Sequence, residues 1–163
     1  MGILTCLAVA VFCSQLPDYR PALVRQEESV LSARSGNVTA SMVIKHLPLS
    51  KREASSWWGG YPNPESGLTP VVWGLDCKAN KKKVRIWRSA FSDLAQVSNL
   101  VILLKRVGYQ IRIIGGDGAE GYVATIEIRN GQCVSRTVKS SLAPDSWSEA
   151  TSYKSEAADF GPQ

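Results

Sequence analysis

Val97-Ser98-Asn99-Leu100-Val101-Ile102-Leu103-Leu104-Lys105-Arg106-Val107-Gly108 carries the clearest periodic signal in the chain. Val97, Leu100, Val101, Leu104 and Val107 recur at i, i+3, i+4, i+7 and i+10, which lines one face of a helix. Ser89 or Ser92 is placed to cap that helix, with Asp93 in its first turn. Lys105 and Arg106 suit a last turn, and Gly108 a stop. The spacing therefore predicts one long helix ending near Gly108.

The flanking segments alternate with a period of two. Val71–Cys77 (VVWGLDC) reads as a strand, residues 78–82 as a polar turn and Lys83–Arg88 (KVRIWR) as the returning strand. After Gly108, Tyr109–Ile114 and Tyr122–Arg129 alternate again. Asn130-Gly131 is a favoured two-residue hairpin turn, followed by a strand over Cys133–Val138. Gly115–Gly121 lies between two strands with no Gly-Lys-Ser/Thr after it, so it reads as a hairpin loop and not a phosphate cradle. The order is β-β-α-β-β-β, an α+β fold in which an antiparallel sheet packs with one long helix as a two-layer sandwich.

The chain has 163 residues, 44% hydrophobic and 20% charged, the balance of a globular protein of about one domain. No apolar run reaches the roughly 18 residues of a membrane-spanning helix, so no transmembrane anchor is expected. The single histidine and four cysteines leave little material for a zinc site or a histidine-based triad, and no metal or other cofactor is expected. The net charge of +5 is uneven. Residues 78–112 are strongly basic, with Asp93 their one acid, whereas residues 113–163 are acidic. A basic patch of this kind attracts nucleic acid, lipid headgroups or acidic protein surfaces.

Gly2–Cys13 (GILTCLAVAVFC) has the length of a signal-peptide apolar region, although no Lys or Arg precedes it. Residues 1–13 are read as a signal peptide and 14–52 as a pro-segment, with a short helical patch over 22–33. Asn37-Val38-Thr39 is a glycosylation sequon, usable in a secreted chain. Lys51-Arg52-Glu53-Ala54 resembles the processing site of fungal secreted precursors, where a kexin-type protease cuts after a dibasic pair. Such a site needs an exposed loop. The other pair, Lys105-Arg106, falls within the expected helix and is shielded there. The compact domain is then 53–139, and the Ser-rich residues 140–163 form an irregular tail. Cys77 and Cys133 remain as an even pair, and in an oxidising compartment a bridge between them would stabilise by roughly 4 kcal/mol.

Lys78, Lys81, Lys82, Lys83, Arg85 and Arg88, interleaved with Trp87, form the best binding patch, since cations beside an aromatic hold phosphates and stack bases. Trp57 and Trp58, in a Pro/Gly-rich approach, are candidates for partner contact. Asp117, Glu120 and Glu127 are the tightest acidic group, but nothing near them resembles a sugar cleft.

Two resemblances bear on function. Gly74-Leu75-Asp76-Cys77-Lys78, the helix ending near Gly108, Gly115-Gly116 and Gly121-Tyr122-Val123-Ala124-Thr125-Ile126 running to Cys133 are similar in spacing to small secreted fungal killer toxins and effectors with an α/β-sandwich. That resemblance covers about sixty residues. It implies a secreted, non-enzymatic protein acting on a protein or membrane-protein target in another cell, with Lys81–Lys83 as candidate contacts. Residues 134–153 (VSRTVKSSLAPDSWSEATSY) resemble the tail of bacterial immunity proteins, which are cytosolic and neutralise a cognate toxin. The sequence therefore reads as a secreted binding protein of effector or toxin type and not an enzyme. The alternatives are an immunity-type protein and a small nucleic-acid-binding module using the 78–88 hairpin.

Overall fold

Val97–Leu104 is a β-strand, and the long helix expected over it does not form. Leu100–Leu104 are all apolar, so the helical period and the strand alternation fit them equally well. The neighbouring strand decides between them: Tyr109–Gly115 alternates cleanly in burial and pairs antiparallel along the whole segment. Leu100 and Ile102 point into the core, and the β-branched Val101 and Ile102 suit a pleated surface. Residues 105–108 close a hairpin, with the Lys105 amide donating to the Gly108 carbonyl at 3.2 Å. Gly108 is required there. Its φ is +75°, and a Cβ would stand 2.0 Å from the Ile128 carbonyl oxygen. The Lys105-Arg106 pair therefore sits on an exposed turn and is not shielded in a helix.

The computed structural model describes residues 28–63, 65–145 and 148–154. The described residues form two antiparallel meanders. The first contains β1 (Glu28–Ser35), β2 (Val38–Leu47), β3 (Thr69–Ala79) and β4 (Lys82–Val84), in that order. The second contains β5 (Val97–Leu104), β6 (Tyr109–Gly115), β7 (Tyr122–Arg129), β8 (Gln132–Ser140) and β9 (Ser148–Ser152). Helical structure among the described residues is one α turn, α1 (Lys51–Ala54), and two 3-10 turns at Arg88–Ala90 and Gly118–Glu120. The fold is mostly β, which corrects the expected α+β sandwich with one long helix. Strands do form where alternation placed them at 71–77, 109–114, 122–129 and 133–138. The expected strand over 83–88 is shorter: it ends at Val84, and Arg85 makes a single parallel bridge to Gln132.

The described part of the 22–33 helical patch lies in β1. β2 sits between β1 and β3 and contributes Val38, Ala40, Met42 and Ile44 to the core. The boundary expected at residue 52 thus separates two hydrogen-bonded neighbours of one sheet, so the compact unit extends back at least to Glu28. Residues 1–13, read as a signal peptide, lie outside the described residues. Ser148–Ser152, expected as irregular tail, pairs with β8 as an edge strand.

The inner faces of both meanders share one core. Val38, Met42, Leu75 and Cys77 from the first meet Ile102, Ile111, Ile113, Tyr122, Ile126 and Ile128 from the second. Burying each such aliphatic stabilises by about 1.5–3 kcal/mol. The sheets also close along their edges. β1 lies against β5, and the Arg85–Gln132 bridge ties the end of β4 to the start of β8.

Among the described residues, one charged side chain is buried in this apolar frame. Arg136, on the inner face of β8, is 3% exposed. Its guanidinium contacts both Asp93 carboxylate oxygens at 2.8 and 2.7 Å and Glu149 of β9 at 2.9 Å. Glu149 also accepts from the Trp58 indole N–H at 3.1 Å. The network joins the 55–60 loop, the 91–96 segment, β8 and β9. Arg136→Ala is expected to lower unfolding free energy in urea by about 2–3 kcal/mol. That is less than for a fully buried pair, because both carboxylates can rehydrate.

Candidate binding surface

The basic residues singled out from the sequence are brought together by the β3–β4 hairpin. Asn80 and Lys81 occupy its two turn positions with φ of 52° and 65°, and this two-residue turn projects Lys81 and Lys82 outward. Lys83 pairs with Asp76 at 3.0 Å across the outer face, a solvent-exposed contact of little energetic weight. Beyond β4 the chain runs beside the start of β8, where Arg85 bridges Gln132. Arg85 lays its guanidinium carbon 4.0 Å from the centre of the Trp87 ring.

Trp73, a residue the sequence reading missed, completes this surface. It points outward from β3 and is 47% exposed. The Lys45 ammonium lies 4.8 Å from its ring centre and the Arg88 guanidinium 5.6 Å. Each such pair contributes about 0.5–1 kcal/mol at an exposed site. A legible signal did exist, because Trp73 stands between the inward Val72 and Leu75 on a strand whose other face is polar. Lys45 had none, since its approach depends on the pairing of β2 with β3.

Trp57 and Trp58 do not join this surface. The Trp58 amide donates to the Asp93 carbonyl at 2.8 Å, and the Ala95 amide donates to the Trp58 carbonyl at 2.9 Å. Its ring packs at 59° to Tyr122 with centroids 6.2 Å apart. Trp58 is therefore half-buried scaffold, and Trp57 lines a small recess beside it with Ser55 and Ser56. Both lie near the start of β5, at the opposite end of the strands from the β3–β4 turn. At that same end a cleft of about 1040 Å3 is bordered by His46, Tyr61, Gln96, Asp117 and Glu120. Glu127 is not part of it: it lies far along β7 and pairs with Arg129 at 2.8 Å, so the three acids do not form one constellation.

Lys51 and Arg52 form the exposed first turn of α1. Ser50 caps that turn through a reciprocal box: the Glu53 amide donates to Ser50 Oγ at 3.2 Å, and the Ser50 amide donates to Glu53 Oε2 at 2.9 Å. The Ser50 hydroxyl, donating to Glu53 Oε2 at 2.6 Å, and next the Ser50 amide hold the Glu53 carboxyl below its ordinary range. Asn37 is exposed in the β1–β2 turn, and its amide donates to Asn80 Oδ1.

Cys77 and Cys133 are free and buried, and no disulfide joins them. Cys77 Sγ lies 3.5 Å from the Tyr109 hydroxyl. Burial raises the Cys77 thiol pKa and pushes that of Cys133 up to about 11, partly offset by a hydrogen bond from the Trp87 backbone. Among the described residues no group of three or more His, Cys, Asp or Glu could hold a metal ion. No described helix is long and apolar enough to cross a membrane. No protein-family model, curated protein or solved structure matches the chain.

Both thiols are neutral and shielded near neutral pH, so iodoacetamide at about pH 8 is expected to spare Cys77 and Cys133 in the folded protein. In urea without reductant both should alkylate, as peptide mapping would show; a bridged pair would not. A thiol raised above its ordinary value of 9.0 contributes stability that is complete below that pH. That contribution is lost as pH climbs through about 11, so the urea midpoint should fall on the alkaline side.

Proposed function

We propose that this chain is a binding protein of the effector or toxin type, and that it acts by contact with an anionic macromolecule. Its working surface is the β3–β4 hairpin with the aromatic–cation flank of Trp73, Lys45 and Arg88 and the Arg85–Trp87 pair. One observation carries this reading: the exposed Arg85 and Arg88, with the half-buried Lys45 that also pairs with Glu28, are held over the rings of Trp87 and Trp73. Stacked cations lose little further freedom on binding, so such a surface is preorganised for anions. Export by a cleaved leader is part of the proposal. Removal of residues 14–52 is not, because β1 and β2 belong to the core. An immunity-type role would use the same surface against an acidic toxin.

The nucleic-acid reading draws on the same residues. It is weakened by the Arg85 guanidinium, which already covers a face of Trp87 and would have to give way to a base.

The full chain should be retained on immobilised heparin at about 0.15 M salt and elute as salt screens the contact. Arg85→Ala, Arg88→Ala and Lys81→Gly are each expected to shift elution to lower salt. Lys81→Gly is informative because Lys81 holds a φ of 65°, so glycine removes the charge while relaxing the backbone. Unchanged elution in all three variants would place the contact elsewhere.

A further inference from the structure

Four hairpin turns meet at one end of the molecule. The β1–β2 turn touches the β3–β4 turn: the Asn80 amide donates to the Asn37 carbonyl at 3.1 Å. On its other side, Leu104 Cδ1 reaches within 3.5 Å of where a Gly36 side chain would begin. The β5–β6 turn in turn presses Gly108 onto Ile128 and Arg129, beside the β7–β8 turn. A shallow depression shared by Lys82, Arg85, Asn130 and Gly131 brings that turn back to the β3–β4 hairpin. The turns therefore form a ring.

The charge on this ring is one-sided. Arg34 stands on the first hairpin, and Lys78, Lys81 and Lys82 on the second with Lys83 and Arg85. Lys105 and Arg106 form the third tip, and Arg129 flanks the fourth. The carboxylates on these four hairpin ends are Asp76 and Glu127, each already paired with a neighbouring cation. The third tip is also apolar. Leu104 is 53% exposed and Val107 64%, on either side of Lys105-Arg106. A turn serving phosphates alone has no use for two bare aliphatic side chains at its apex.

We propose that this end of the molecule docks on an anionic lipid bilayer. Leu104 and Val107 enter the headgroup–acyl boundary, and the ring of Lys and Arg sits on the charged headgroups. Apolar insertion and attraction to anionic lipid add in such a contact. The inference rests on the reading that the basic surface is the contact surface, and it names the partner. A glycan on Asn37 would stand within the ring and block the contact.

The test is flotation of the full chain with phosphatidylcholine vesicles, with and without about 30 mol % phosphatidylserine. The chain is expected to float with the anionic vesicles alone. Leu104→Ser with Val107→Ser should weaken partition by about tenfold or more, and Lys105→Glu with Arg106→Glu should abolish it. Unchanged urea midpoints would show that these exposed positions leave the fold intact. Equal binding by the Leu104/Val107 double variant overturns insertion. Failure to float at low salt overturns the bilayer as partner, as does saturable binding of a single-stranded oligonucleotide in its place. If heparin retention persists in that case, the basic surface stands and only its partner falls; if retention is also absent, both readings fall.

Discussion

The guanidinium of Arg136 ties the segment between the two meanders and the β2–β3 connection to the paired strands β8 and β9. Asp93 reaches it from the segment between the two meanders, and Glu149 from the edge strand β9. Trp58 reaches Glu149 from the long connection between β2 and β3. A charge buried in an apolar frame must keep its partners, because an unpaired one costs several kcal/mol. That demand fixes where the 91–96 segment crosses and where β9 docks. It also seats the Trp58 ring on Tyr122, whose hydroxyl donates to the Ala95 carbonyl at 2.8 Å. Burial raises the Tyr122 hydroxyl pKa, keeping that donor protonated.

The clamp lies toward one end of the strands and the basic turns lie at the other. Long connections, the acidic residues Asp117 and Glu120, and the open cleft gather at the clamp end. Short two- to four-residue turns gather at the basic end. Tight turns on paired strands move little, so their cations and the two exposed aliphatics of the β5–β6 tip are presented as a fixed array. The division between a clamped end and a presenting end follows from the meander topology, in which alternate hairpins point the same way.

Alternation identified most of the second meander, because its strands have one face in the core and one outside. Asn130-Gly131 announced its turn, with both residues at positive φ. The reading failed at Leu100–Leu104 for want of polar residues to break the degeneracy between two periods. It failed again at β1, where the outward residues are as varied as those of a loop. Arg136 left no trace, since an arginine in a polar strand is ordinarily exposed. Cys77 and Cys133 were expected to bridge, but evenness of number says nothing about whether two thiols approach.

Local composition determined the positions of β3, β6, β7 and β8, the Asn130-Gly131 turn and the concentration of positive charge in residues 78–112, because each depends on neighbours within a few positions. Tertiary structure alone decided that Val97–Leu104 is a strand, that residues 28–47 belong to the core, and that turns far apart in the chain share one basic end. Those outcomes depend on which surface each segment buries and against what, and that is set by pairings across the whole chain.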